Sequence, residues 1–306
     1  MSVQTARTGA FAYLKYGWES SFKGGASTKD KVFGRGQRIT SLTRRENPEL
    51  IPELGDRIYY SSAFKQFEGT ISLEWILSNP WFFKGILGSV TTSGTGPYTH
   101  TYSVTKLPQS MSLEVGIQAS GGNVVRTLDG AIFTSATITS AVGELVRVRA
   151  DLLYAKETVG TNLGSALVDT FPPLVFHHAT LEVPSGNTIG EVQSFDLTIN
   201  NNGLLIYGLG DRYAVSGMWQ ALDVAGTISV TLKDATFLNY LASEIPSAKL
   251  KIYLSSSNSI EINMANVVFG EHSVTIEPNA LIVESLPIQV RSIQSVVATN
   301  NTPIHP

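Results

Sequence analysis

The chain has 306 residues, of which 15% are charged; it has no cysteine, and its formal net charge is −3. The missing cysteine excludes disulfides and thiolate chemistry. A pI near 6.0 excludes the Lys/Arg excess by which sequence-reading DNA binders neutralise phosphates. In chain order, residues 1–37 read as an arm, flexible around "KGGASTKDK". "QFEGTISLEWI" then alternates with period two: Gln66, Glu68, Thr70, Ser72 and Glu74 on one face, Phe67, Ile71, Leu73 and Trp75 on the other. That predicts a half-buried strand. "SNPWFFKGILGS" breaks the alternation. Ser78 or Asn79 can cap, Pro80 suits a first turn and Gly88 a stop, which predicts a short helix with Trp81, Phe82, Gly85 and Ile86 near one side. "SMSLEVGIQ" and "ELVRVRADLLYA" are further strands. "TVGTNLGSALVDTF", rich in Gly, Thr and Ser, reads as a linker over 158–172. "FDLTIN", "GTISVTL", "KLKIYL", "IEINM" and "ALIVESLPIQV" alternate again. "DATFLNYLAS" predicts a second short helix, capped by Asp234, with a stripe of Phe237, Leu238 and Leu241. Residues 296–306 read as an extended tail.

The chain repeats itself. "LGDR" stands at Leu54–Arg57 and at Leu209–Arg212, 155 positions apart. "GTIS" stands at Gly69–Ser72 and Gly226–Ser229, 157 apart, and Phe82 and Phe237 are again 155 apart. The expected organisation is a tandem duplication of one β-rich unit, at 38–157 and 173–295. The fold class is all-β, each unit a sandwich with a short flanking helix. The low charge fits an obligate assembly that buries much of its exterior; it also fits a Ser/Thr-rich β protein that is lightly charged. No run approaches the ~20 apolar residues of a membrane span. Met1–Phe22 has no apolar core of signal-peptide type, so synthesis in the cytosol is expected.

Catalytic patterns are missing. There is no GxSxG, HExxH, P-loop or EF-hand loop. "GRGQRI" and "GLGDRY" lack the last glycine of GxGxxG and read as turns. His177–His178, placed in a strand, would point to opposite faces and make a poor metal site. No enzyme activity, metal or cofactor is expected. Asp56–Arg57 and Asp211–Arg212 read as hairpin turns with a salt bridge or a subunit contact. The polar face of the first "GTIS" strand carries Glu68 and Glu74 and no cation; Asp223, Ala225, Thr227, Ser229 and Thr231 take the same face of the second. Hydroxyls and carboxylates without cations suit a surface that must not grip a polyanion; an ordinary wet sheet face has the same look.

"YGWESSF", "VFGRGQRI", "GTISLEWILSNPWFF" and "GPYTHTYS" together resemble the tail tube proteins of tailed bacteriophages and tailed archaeal viruses, most clearly over residues 10–155. The resemblance implies a small β-sandwich with a flanking helix. It implies rings whose inner sheets join into one continuous barrel, stacked into a tube that conducts the genome. It implies a long hairpin reaching toward the next ring, here over Leu42–Tyr60, with Leu197–Tyr213 as its counterpart. On that basis Glu68, Thr70, Ser72, Glu74, Glu114, Asp223, Thr227 and Ser229 are expected to face the lumen. Arg44, Glu46, Asp56, Arg57, Asp211 and Arg212 are expected at ring–ring or subunit contacts. Two units per chain imply three chains per ring. Four lumen strands per unit then give about 24 strands, a backbone diameter of ~50 Å and a bore of about 40 Å. Expected partners are further copies of the chain, a tape-measure protein, a tail terminator and tail-tip or baseplate proteins; DNA passes without sequence-specific binding. The expected place is the virion tail, assembled in the host cytoplasm. Rival readings are the inner tube of a contractile tail or phage-like injection system, and a β-sandwich tail-tip or fibre module that binds glycans.

Overall fold

The computed structural model describes residues 9–303 and 305, apart from 56, 120, 190, 242 and 280. The first unit runs through β1 (Ala12–Trp18), β2 (Arg35–Arg45), the hairpin β3 (Pro48–Pro52) and β4 (Tyr59–Phe64), β5 (Glu68–Ile76), the helix α1 (Phe82–Leu87), the hairpin β6 (Gly88–Ser93) and β7 (Tyr98–Val104), β8 (Met111–Ile117), β9 (Val124–Ala141), β10 (Arg147–Tyr154) and β11 (Lys156–Gly160). The second runs through β12 (Ala179–Glu182), β13 (Thr188–Ile189), β14 (Val192–Asn200), the hairpin β15 (Leu204–Ile206) and β16 (Ser216–Met218), β17 (Asp223–Thr231), α2 (Thr236–Tyr240), β18 (Glu244–Ser255), β19 (Asn258–Phe269), β20 (Ser273–Thr275) and β21 (Val283–Asn300). The fold is all-β with two short helices, as the alternation predicts.

Each unit has two layers. In the first, β2–β5–β10–β9 form one layer and β1–β8–β9–β11 the other. Ile71, Leu73 and Trp75 of β5 point inward and are buried. Tyr16 of β1 stacks on Phe33 at 4.3 Å, and Phe33 meets Trp75 at 5.1 Å, so the two layers share one aromatic core. β9 belongs to both layers and turns between them at Gly130 (φ 67°), where a Cβ would stand 2.9 Å from that of Ala155. Glu19 holds that turn: its buried carboxylate accepts the Gly130 N–H at 2.9 Å and the Lys23 N–H at 3.1 Å. In the second unit β14–β17–β21–β20 and β12–β18–β19–β21 repeat the order, with β21 spanning both layers.

The units are joined through both layers. Residues 194–200 of β14 pair with 135–141 of β9. The hairpin β6–β7, which has no counterpart among the described residues of the second unit, pairs with the far end of β21. Among the described residues β2 pairs only with β5, and β20 only with β21, so this layer ends in two open edges and one chain does not close a barrel.

Several expectations need correction. Residues 12–18 are not an arm but a strand, and Tyr16 and Phe33 are fully buried, because the outer layer needs β1 as its edge. At the other end β21 runs to Asn300. The 158–172 segment is not loose: β11 extends to Gly160, and buried Asp169 accepts hydrogen bonds from Ser78 Oγ, from Asn79 Nδ2 at 2.8 Å and from Phe171 N at 3.1 Å. Both helices form but are shorter than expected. Asn79 Oδ1 accepts the Trp81 N–H (3.2 Å), and Gly88 (φ 103°) ends α1. Asp234 Oδ1 accepts the Thr236 N–H at 2.8 Å, but Leu238 is 47% exposed and leaves the expected stripe.

Candidate inner face and assembly edges

The layer β2–β5–β10–β9–β14–β17–β21–β20 turns its second face away from the core, and alternation decides which residues lie there. Glu68, Thr70, Ser72 and Glu74 of β5 share this face with Asp223, Thr227 and Ser229 of β17, since each alternates with buried neighbours. The strands between complete it. Asp151 faces Ser72 and Ser135, and accepts from Ser72 Oγ at 2.5 Å and Ser135 Oγ at 3.3 Å. Thr137 and Thr198 meet hydroxyl to hydroxyl at 2.9 Å across the junction of the units. Gln66 donates to Glu68 at 2.8 Å and Asn202 to Asp223 at 2.7 Å.

Two expectations fail here. Glu114 does not join the group: β8 belongs to the other layer, where Glu114 accepts from Tyr13 Oη at 2.6 Å and pairs with Lys15 at 3.1 Å. Burial, with the Glu114 contact, pushes the Tyr13 phenol up to about 12. Nor is the face free of cations. Arg38 of β2 and Arg149 of β10 lie opposite Glu74, and Arg147 lies beside them on the same face. Glu74 pairs with Arg38 at 3.6 Å and with Arg147 at 3.3 Å. Reading β5 alone misses them, because its neighbours come from remote parts of the chain. "RVRADLLY", with Arg147, Arg149 and Asp151 alternating with Val148, Ala150 and Leu152, carries the signal that would have found them.

Asp211 and Arg212 of the second "LGDR" loop, and residues around it, form contacts within the chain. Arg212 pairs with Glu46, which Arg44 also holds at 2.5 Å. Burial works to raise the Glu46 pKa, but the two guanidiniums outweigh it and hold the carboxyl below its usual range. Lys23 pairs with Asp211 at 2.8 Å and holds its carboxyl low. Tyr207 Oη donates to Phe67 O at 2.6 Å, and Trp219 Nε1 donates to Phe133 O at 2.9 Å. So residues 201–222 of the second unit lie across the end of the first. The first hairpin is more open: Leu50, Leu54, Ile58, Tyr59 and Phe64 are exposed, and the Arg212 guanidinium lies 5.8 Å from the Phe64 ring. Arg57 lies in its turn; Asp56 lies outside the described residues.

His177 and His178 sit in a 3-10 turn, not a strand, with their rings 4.3 Å apart. Among the described residues no group of three or more His, Cys, Asp or Glu is placed to hold a metal ion, and no helix is long and apolar enough to cross a membrane.

The geometry is thus a two-layer β unit, present twice, with one polar layer continuous across both and open at each end. The family model described as phage tail tube protein matches residues 9–290, and the chain belongs to that family. It is a structural protein of the phage tail and so a component of the virion. No curated protein matches the chain.

Proposed function

We propose that three copies of this chain close into a ring of six units, that rings stack, and that the polar layer lines a bore through which the genome passes. The observation that carries this reading is the β9–β14 junction. It joins two units edge to edge and leaves edges of the same two kinds, β2 and β20, at the ends of the chain. A chain supplies eight strands to this layer, so three chains supply the about 24 whose barrel has a bore near 40 Å. Closure also covers both edges, which would otherwise invite aggregation. We read the recurring strand order as a tandem duplication. The lining is Glu68, Thr70, Ser72, Glu74, Asp223, Thr227 and Ser229, with Asp151, Asp196 and the threonines between. Of its arginines, Arg38 and Arg147 lie against Glu74, which limits their grip on phosphates. The exposed β3–β4 hairpin, with Arg57, is the contact to a neighbouring copy. Assembly in the host cytoplasm on a tape-measure protein, between a terminator and a tip or baseplate, completes the reading. Trp75, Trp81 and Trp219 are buried, which disfavours a glycan-binding aromatic platform; no catalytic role is proposed.

The test uses virions assembled with Glu68→Lys and Asp223→Lys. Tails of normal length with slowed DNA ejection are expected. An unchanged ejection rate would remove this face from the DNA path.

A further inference from the structure

The junction inside the chain also specifies how one chain meets the next. We propose that β2 of one copy adds antiparallel to residues 271–277 of the next, in a single register: Arg45 opposite Glu271, Thr43 opposite Ser273, Ser41 opposite Thr275 and Arg38 opposite Glu277. This rests on the ring reading above and names its contact.

The register follows from the strand pairings. Arg45 faces Glu68 as Asn200 faces Asp223, and Ser41 faces Ser72 as Asp196 faces Thr227. Arg38 faces Glu74, and Ser194 faces Ser229, at the matching level. So β2 stands in the first unit where β14 stands in the second. On the other side, Thr137 faces Arg149 as Ser273 faces Ser285, and Phe133 faces Leu152 as Phe269 faces Ile288. So residues 271–277 stand where Ser135–Ala141 stand. Inside the chain Ser135 faces Asn200, Thr137 faces Thr198, Thr139 faces Asp196 and Ala141 faces Ser194. Carrying each residue to its counterpart gives the four pairs.

The chemistry at those positions changes in one direction. The internal junction is made by neutral pairs at its ends, Ser135–Asn200 and Ala141–Ser194. At the open edges the same places hold Arg45 and Arg38 on one side and Glu271 and Glu277 on the other. All four are exposed. Arg45, Glu271 and Glu277 have no ion-pair partner among the described residues, and Arg38 reaches Glu74 only at 3.6 Å. Facing residues in an antiparallel pair stand about 4.5–5.5 Å apart at Cα, close enough for both ion pairs. The central Thr43–Ser273 pair reproduces the Thr137–Thr198 hydroxyl contact of 2.9 Å. A one-residue slip would turn every side chain to the other face, so the register is strict. Neutral pairs inside and opposite charges outside also let the edges find each other between chains without competing with the internal junction.

The chain has no cysteine, so the register can be read by oxidation of introduced pairs. Thr43→Cys with Ser273→Cys should cross-link into dimers and trimers of chains and nothing larger. Arg38→Cys with Ser273→Cys, about 15 Å apart in this register, should stay uncross-linked. Arg45→Glu alone should lose rings in electron micrographs, and adding Glu271→Arg should restore them. Rings that form while only the shifted pair cross-links, or that the charge swap fails to restore, would overturn the register and leave the ring. No rings from the unaltered chain, and no cross-link, would overturn both.

Discussion

Asn47 and Asn202 adopt the same left-handed backbone, φ 44° and 48°. Each donates its side-chain amide to the carbonyl of the residue 19 positions on, Gln66 at 3.0 Å and Ala221 at 2.9 Å. They mark the same turn in the two units, where the chain leaves the polar layer for its hairpin. A side chain that tolerates this backbone and closes the loop explains asparagine at both places. Asn202→Ala should cost about 1–3 kcal/mol from strain and a lost hydrogen bond, and Asn202→Gly less. Urea unfolding of the three proteins measures the order; equal midpoints would contradict it.

Glu19 is buried and accepts main-chain N–H groups at the turn of β9. Glu19→Ala would leave the Gly130 and Lys23 amides unsatisfied, at a cost of about 1–3 kcal/mol. Glu19→Gln keeps one acceptor and should fall between. A denaturation midpoint for Glu19→Ala equal to that of the unaltered chain would show that the carboxylate does not hold the turn.

Glu74 lies between Arg38 and Arg147. Glu74→Gln should keep the fold and release the Arg147 guanidinium to the bore, so ejection slows at low salt and recovers as salt screens the arginine. Ejection that is equally fast at every salt concentration would count against a lumenal Glu74.

His100 accepts from Thr92 Oγ1 at 2.8 Å through Nδ1 and donates to Asn300 Oδ1 at 3.2 Å through Nε2. Burial lowers its pKa below the ordinary 6.5, against the opposing pull of the Asn300 and Thr302 contacts. A lowered value means that the fold resists a proton the unfolded chain accepts. Its contribution is full above about 6.5 and is lost as pH falls through the folded value. Hydrogen-exchange protection at 98–102 and 296–300, taken relative to the intrinsic amide rate at each pH, should therefore fall between about pH 7.5 and about pH 5, and His100→Asn should flatten the change. Protection that does not vary with pH would contradict this.

Much of the fold was legible in the sequence because alternation survives burial. Ile71, Leu73 and Trp75 point inward, as their period says. What escaped is non-local. The two repeats gave different offsets, and pairing decides between them. Asn79 and Asp234 each accept the N–H two residues on, at the entries to α1 and α2, and Gly55 and Gly210 share φ near 92° and 95°, all at the "LGDR" offset of 155. The "GTIS" match is two residues out of step, which a period of two hides because the faces stay the same. Arg38 and Arg147 escaped because strand neighbours are set by topology, not by sequence distance. β1 reads as an arm in the sequence because "AYLKYGW" lies apart from the repeat signal, although Leu14 and Tyr16 alternate. Glu114 lies on a strand as Glu68 does, and alternation does not say which layer a strand joins.

The most direct test of the account is the mass of the assembled species, with electron microscopy of the same sample. The account predicts a closed ring of three chains of 33.0 kDa each, six lobes around a bore of about 40 Å, and stacks of such rings. A species that stays monomeric at every concentration, or a ring whose chain number is not three, would contradict it.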